Sequence, residues 1–222
     1  MNSLPPTKNR NRMPSHVQLI QVFGPLIALF AVVLVFSIAD GLQEGGGTFL
    51  TLRNTRVILA QTSVIAVASL GMTLIIISGG IDLSAGTGLV LSATVLAWSL
   101  DNGQSVYVAL GLCLLVGCLC GMLNGILIST LQVVPFIVTL GTMTIFLGIG
   151  QILANESTVY APKENIPDWL NLCYTGSVAE NYLIPGTEIP TSVIIAVVLG
   201  LMVGLLMRFT VFGRNVFAIG SS

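Results

Sequence analysis

Residues 77–86 read ISGGIDLSAG and set one carboxylate, Asp82, in the least polar part of the chain. From Val57 to Leu100 no other residue carries a formal charge. Two kinds of chemistry are open to a carboxylate so placed. It can accept hydrogen bonds from the free N–H groups that start a helix, facing the positive end of the helix dipole. Gly79 then stops the preceding helix in a left-handed conformation, Ser84 adds a second capping oxygen, and the charge lies near water. Alternatively the Gly79-Gly80 pair breaks a helix deeper in the bilayer, and Asp82 lines a cavity as a proton or cation site. The capped turn is the favoured expectation, because it leaves both flanking helices near spanning length.

Other catalytic chemistry is largely excluded by residue type. The only lysines are Lys8 and Lys163, and neither follows a glycine-rich turn, so no phosphate-binding loop can form. His16 is the only histidine, which rules out a histidine triad or a histidine metal cluster. No second carboxylate lies in the apolar segments to share acid–base work with Asp82. Cys113, Cys118 and Cys120 fall in one apolar run, where free cysteine behaves as a small hydrophobe. Cys173 stands alone in a polar stretch. The basic residues form no stripe suited to nucleic acid. The chain is therefore not expected to be an enzyme, to hold a cofactor or metal, or to bind nucleic acid. Energy for active transport would enter through another polypeptide or an ion gradient.

The elements that position Asp82 follow from composition. The chain is 54% hydrophobic and only 8% charged, with a mean hydropathy of +0.95. Soluble domains carry about 25% charged residues, so this is a polytopic membrane protein. Six segments have, or approach, the length and apolarity of a membrane span: Val17–Ala39, Val57–Ser78, Leu83–Leu100, Val106–Leu131, Pro135–Leu153 and Thr191–Phe209. Their apolar residues run all round rather than in stripes, and no alternating barrel pattern occurs. The expected fold is an all-α polytopic membrane helix bundle of about six transmembrane helices. Ser37-Ile38-Ala39 has the look of a signal cleavage site, but the first apolar run is too long for a signal core and reads as a retained helix.

Residues 1–16 form an expected cytoplasmic tail, and residues 17–222 the transmembrane domain. The polar stretch Asn155–Pro190 makes a long extracytoplasmic loop containing Glu156, Glu164, Asp168, Glu180 and Glu188. With the N-terminus inside, Lys8, Arg10, Arg12, Arg208 and Arg214 lie on the cytoplasmic side, which agrees with the positive-inside rule. Arg53 and Arg56 fall outside and fit an interfacial helical turn whose side chains snorkel to headgroups. Gly117, Gly121 and Gly125, and separately Gly200 and Gly204, repeat at the small-xxx-small spacing of close helix contacts. Contacts within one bundle are favoured over a dimer face.

Several strings, in order, resemble one family: SLGMTLIIISGGIDLSAG (69–86), GMLNGILI (121–128), PFIVTLGTMTIF (135–146), IPDWL (166–170) and FGRNVFAIG (212–220). They are similar to the ribose-type permeases, the membrane subunits of ATP-binding cassette importers for ribose, other monosaccharides and related polyols. The resemblance implies a second permease copy forming a homodimer, cytoplasmic ATP-binding subunits that carry ATP and Mg, and an extracytoplasmic sugar-binding protein. It places Gly79, Gly80, Asp82 and Ser84 in the family's glycine–aspartate turn. Phe136, Thr139, Gly141 and Thr142 match its fifth-span motif, along the implied solute path. Hydroxyls suit a sugar pathway, and Thr139, Thr142 and Thr144 supply them; back-bonding to the preceding turn accounts for threonines there equally well.

Members of that family continue past the FGRNVFAIG string into a segment that couples to the ATPase and then into further spans. Here the sequence stops at Ser221-Ser222, which implies an incomplete permease core unable to drive transport alone. Two other functions stay open: an ion-coupled secondary transporter using Asp82, and a non-transporting membrane scaffold held by its glycine faces.

Overall fold

A computed structural model describes residues 15–43, 46–167, 170 and 189–220. Most of the tail 1–16, residues 168–169 and 171–188 of the long polar loop, and Ser221-Ser222 lie outside the described residues. The described residues form seven α-helices and one 3-10 turn. They are α1 Ser15–Gly41, α2 Leu52–Ile77, α3 Ala85–Asp101, α4 Val106–Leu131, α5 Pro135–Leu153, α6 Thr191–Phe209 and α7 Val211–Gly220, with the 3-10 turn at Lys163–Asn165 between α5 and α6. The protein is an all-α polytopic membrane bundle. Helices α1, α2, α4, α5 and α6 are long and apolar enough to cross a membrane, and α3 is a shorter apolar helix.

The bounds follow local chemistry. Pro135 takes the first turn of α5, where its missing N–H is not needed. Gln132 ends α4 in a left-handed conformation, φ 52°. Ser105 caps α4 by accepting from the Val108 N–H. Arg53 and Arg56 fall inside α2, which begins ahead of its apolar run. Helix α7 occupies the 212–220 string, which the sequence marked only as a resemblance and not as a helix.

Contacts divide the chain into one unit up to Thr55 and a second from Arg56 onward. In the first, Asp40 near the end of α1 organises the connector to α2. Its Oδ2 accepts from the Gly47 N–H at 2.8 Å and the Phe49 N–H at 2.9 Å, and Oδ1 from the Thr48 hydroxyl at 3.1 Å. The rings of Phe36 and Phe49 stack with centroids 5.9 Å apart.

In the second unit α3 packs against α4 and α5, and α4 against α5. The buried side chains of this trio are more often polar than apolar: Leu91, Leu100, Ala109 and Phe146 share the interior with Ser84, Ser92, Ser99, Asn124, Thr139 and Thr142. Large apolar side chains instead point away from it, Leu114 at 70% and Ile152 at 78% exposure among them. That inversion suits a bundle whose outer faces meet lipid or other helices, because apolar burial between helices gains little when the solvent is hydrocarbon. Gly213 stands where a Cβ would overlap the Met207 carbonyl, so α7 turns tightly off α6. At the other end of α7, Gly220 is seated against the Ile77 carbonyl at the end of α2.

Candidate functional site

The site grows from the break between α2 and α3. After Ile77 the chain turns at Gly79, whose φ of +83° is a conformation an L side chain resists. Gly80 then closes on Ile75, its N–H donating to the Ile75 carbonyl at 2.9 Å. Residues 80–84 are not helical, and α3 starts at Ala85.

Asp82 acts one step removed from the cap that its sequence position suggested. Ser84 occupies the N-cap position, without a side-chain bond to the helix N–H groups. The carboxylate Oδ1 of Asp82 instead accepts from both the Ser84 N–H and the Ser84 hydroxyl, each at 2.7 Å. This is an aspartate turn that fixes the cap residue rather than the helix itself.

From Ser84 a chain of hydrogen bonds crosses the bundle. The Asn124 amide of α4 donates to Ser84 Oγ at 2.7 Å. The Thr142 hydroxyl of α5 donates to the Asn124 amide oxygen at 2.6 Å. Every donor points the same way, from Thr142 through Asn124 and Ser84 to an acceptor-only carboxylate oxygen, an arrangement in which successive bonds polarise one another. A second tie runs alongside it: the Leu83 N–H donates to Thr139 Oγ1 at 3.1 Å, and that hydroxyl lies 3.3 Å from the carbonyls of Ile81 and Phe136. Ser84, Asn124, Thr139 and Thr142 are all buried, while Asp82 is half-buried.

Thus Asp82, Ser84, Thr139 and Thr142, picked out separately along the sequence, converge on one node. Phe136 does not join them through its side chain: it is 44% exposed and contributes only its carbonyl. Thr144 is exposed and donates back to the Gly141 carbonyl, and a Cβ on Gly141 would meet open space. Of the α4 glycines, Gly117 faces the Ser92 hydroxyl of α3, whereas Gly121 and Gly125 face open space in this chain. Asn124 is the residue the sequence reading passed over. It lay within GMLNGILI, and its signal was that of a lone amide in the apolar α4.

A cavity of about 450 Å³ opens between α3 and α4, with Asp82, Ser84, Ser92, Asn124 and Phe146 among its walls. Its polar groups are one carboxylate edge, hydroxyls and an amide, which can hold neutral hydrogen-bonding solutes or water. Among the described residues no group of three or more metal-ligating side chains gathers. The seventeen residues of α3 rise about 26 Å, against about 30 Å of hydrocarbon.

Comparison with known proteins adds to this geometry. Residues 54–222 match the family model described as branched-chain amino acid transport system / permease component. The chain is 29% identical over 201 residues to the fructose import permease protein of Rhizobium meliloti, covering 88% of this chain and 52% of that protein. It is 30% identical over 203 residues to the ribose import permease protein of Bacillus subtilis, with 91% of this chain and 58% of the relative covered. It is 36% identical over 160 residues to the autoinducer 2 import system permease protein of Yersinia enterocolitica, with 71% and 46% covered. The chain spans about half the length of the curated relatives it matches. No solved structure matches it.

Proposed function

This chain belongs to the permease-component family of branched-chain amino acid transport systems, and on that premise we propose that it forms the membrane-spanning subunit of a monosaccharide importer. The observation that carries the proposal is the similarity of nine-tenths of the chain to permeases named for fructose and ribose import. Family and helices together make it a multi-pass protein of the inner membrane. The reading fits its chemistry: a pathway for neutral polyols needs hydroxyls and amides and few charges, and the node at the α2–α3 break offers those groups.

In this proposal the chain provides the conduit, and ATP and Mg are handled by a cytoplasmic ATP-binding subunit. An extracytoplasmic sugar-binding protein delivers the solute, and a second permease copy completes the pathway. Asp82 and Ser84 contribute to the wall of the α3–α4 cavity along the solute path. Thr139 and Thr142 act from behind: their hydroxyls are committed to Leu83 and Asn124 and hold the broken helix against α5. Phe136, on the outer face of α5, is available to a neighbouring helix or to the solute path.

The test is uptake of radiolabelled D-ribose and D-fructose by the host cell with and without the gene, before and after ATP depletion. The proposal expects one of these uptakes to require both the gene and ATP. Gene-dependent uptake that survives ATP depletion but collapses with a protonophore would replace the importer with an ion-coupled carrier.

A further inference from the structure

Next to the α3–α4 cavity lies a second one, of about 540 Å³, between α3 and the C-terminal end of α5. Resting on the importer reading, we propose that this second cavity is a polyol subsite, in which Gln151, Glu156, Thr94 and Ser157 bind the hydroxyl groups of a passing monosaccharide. Its volume falls within the range of small-molecule sites, about 300–1,000 Å³.

The polar lining is the first argument. Thr94 and Gln151 lie in apolar helices, and Glu156, Ser157 and Thr158 follow directly on α5. Polar side chains inside apolar helices, as Thr94 and Gln151 are, are costly against lipid and characteristically face a water-filled space, and the three residues after α5 extend the same polar lining. Thr94 donates to the Val90 carbonyl and Ser157 to the Ala154 carbonyl, so both hydroxyls keep lone pairs for a ligand's O–H groups. The Gln151 amide offers donors and an acceptor, and the Glu156 carboxylate accepts only. Alternating donors and acceptors of this kind suit vicinal hydroxyls.

The backbone is the second argument. Asn155 and Glu156 both adopt left-handed φ, 49° and 54°, a pairing that non-glycine residues avoid. The turn is closed by the Glu156 N–H donating to the Gln151 carbonyl at 2.9 Å and the Ser157 N–H to the Ala154 carbonyl at 3.0 Å. It folds the chain back over the end of α5 and brings Glu156 onto the wall shared with Gln151. Strained backbone held in this way concentrates at ligand sites.

The lining also selects among ligands. Among the described residues no basic side chain lines the cavity, so those residues offer no partner for the carboxylate of an amino acid, although the family description names amino acid transport. A neutral polyol requires no such partner. Phe146 contributes to the cavity wall and also lines the α3–α4 cavity containing Asp82, Ser84 and Asn124. The two cavities therefore share one aromatic side chain in their walls.

The test is saturation-transfer difference NMR on the purified chain in lipid nanodiscs, with D-ribose, D-fructose and L-leucine as probes. The subsite predicts saturable signal for at least one sugar and none for leucine. The Gln151→Ala, Glu156→Gln pair should weaken that binding by about tenfold, the effect of losing one or two hydrogen bonds to polar groups. Thr130→Val, exposed near the end of α4 and outside the cavity lining, should bind as the unaltered chain does. Thr94→Val, read alongside, keeps the test decisive if the double variant loses helicity or monodispersity. Absence of signal for both sugars, undiminished binding in the cavity variants, or displacement of sugar by leucine would each overturn the subsite. ATP-dependent uptake intact beside such a result leaves the importer reading standing, whereas loss of ATP dependence removes that reading whatever the NMR shows.

Discussion

Asn124 joins three elements through one side chain, because its amide uses both ends, donating to Ser84 and accepting from Thr142. Asn124→Leu strips both bonds from a buried site while roughly keeping volume. Two fallbacks limit the damage: Ser84 retains Asp82, and the Thr142 hydroxyl lies 3.3 Å from the Thr139 carbonyl. Interhelical hydrogen bonds in bilayers are each worth about 0.6 kcal/mol, and an orphaned buried group costs about 1–3 kcal/mol. The expected destabilisation is therefore about 1–2 kcal/mol, measured as a lowered midpoint of denaturant-induced unfolding in detergent. An unchanged midpoint would show that the node does not tie α4 to its neighbours. At this scale the sequence was half legible. Asp82 stood out through its isolation, and Ser84 through its spacing from it. The partners that give both a purpose lie 40 and 18 residues apart along the chain, and no local pattern records a pairing of that range. Nor did local pattern show that Asp82 holds the cap residue instead of capping α3 itself.

Elements were more legible than the contacts between them. The bounds of α4, α5 and α6 coincide with the apolar runs, since polar turns and Pro135 end them abruptly. Helix α2 begins earlier than its apolar run, because Arg53 and Arg56 are good helix formers whatever their charge. Helix α7 was not legible as a helix: at ten residues it is too short for a span and is held by tertiary contacts at both ends. Those contacts make a testable contrast among glycines. Gly220→Val would push a side chain into the Ile77 carbonyl, so α7 should detach from α2 and trypsin should cleave faster at the exposed Arg214. Unchanged cleavage would mean that α7 is held by something other than this close approach. Gly79→Ala meets a different obstacle, its left-handed φ, and should cost about 1–2 kcal/mol of stability. Gly86→Ala, in α3 with open space around it, should be neutral or stabilise by up to about 1 kcal/mol. If thermal stability fell equally in Gly79→Ala and Gly86→Ala, the turn at the α2–α3 break would not be as drawn.

For the whole molecule the proposed importer and an ion-coupled carrier differ over where energy for transport would enter, and Asp82 is the residue on which the two answers differ. An ion-coupled carrier would need this carboxylate, the only charged group between Val57 and Leu100, to take up and release a proton or cation in each cycle. In the structure its Oδ1 is occupied by two short bonds from Ser84. Those bonds end a directed chain reaching α5, so a change of charge at Asp82 would disturb the packing of three helices. A role that steady suits a positioning residue in a conduit driven from outside the chain. Asp82→Asn preserves an oxygen to accept from Ser84, whereas Asp82→Ala removes both bonds. The importer reading therefore predicts that Asp82→Asn keeps ATP-dependent uptake within about fivefold of the unaltered protein, the ratio that roughly 1 kcal/mol makes. Asp82→Ala should fall well below that, together with a loss of thermal stability. A carrier coupled through Asp82 predicts the reverse ordering of causes: Asp82→Asn abolishes uptake, stability is unchanged, and protonophores rather than ATP depletion stop the unaltered protein. Measuring uptake and melting temperature on the same two variants separates the cases, because only a positioning role makes the two quantities fall together.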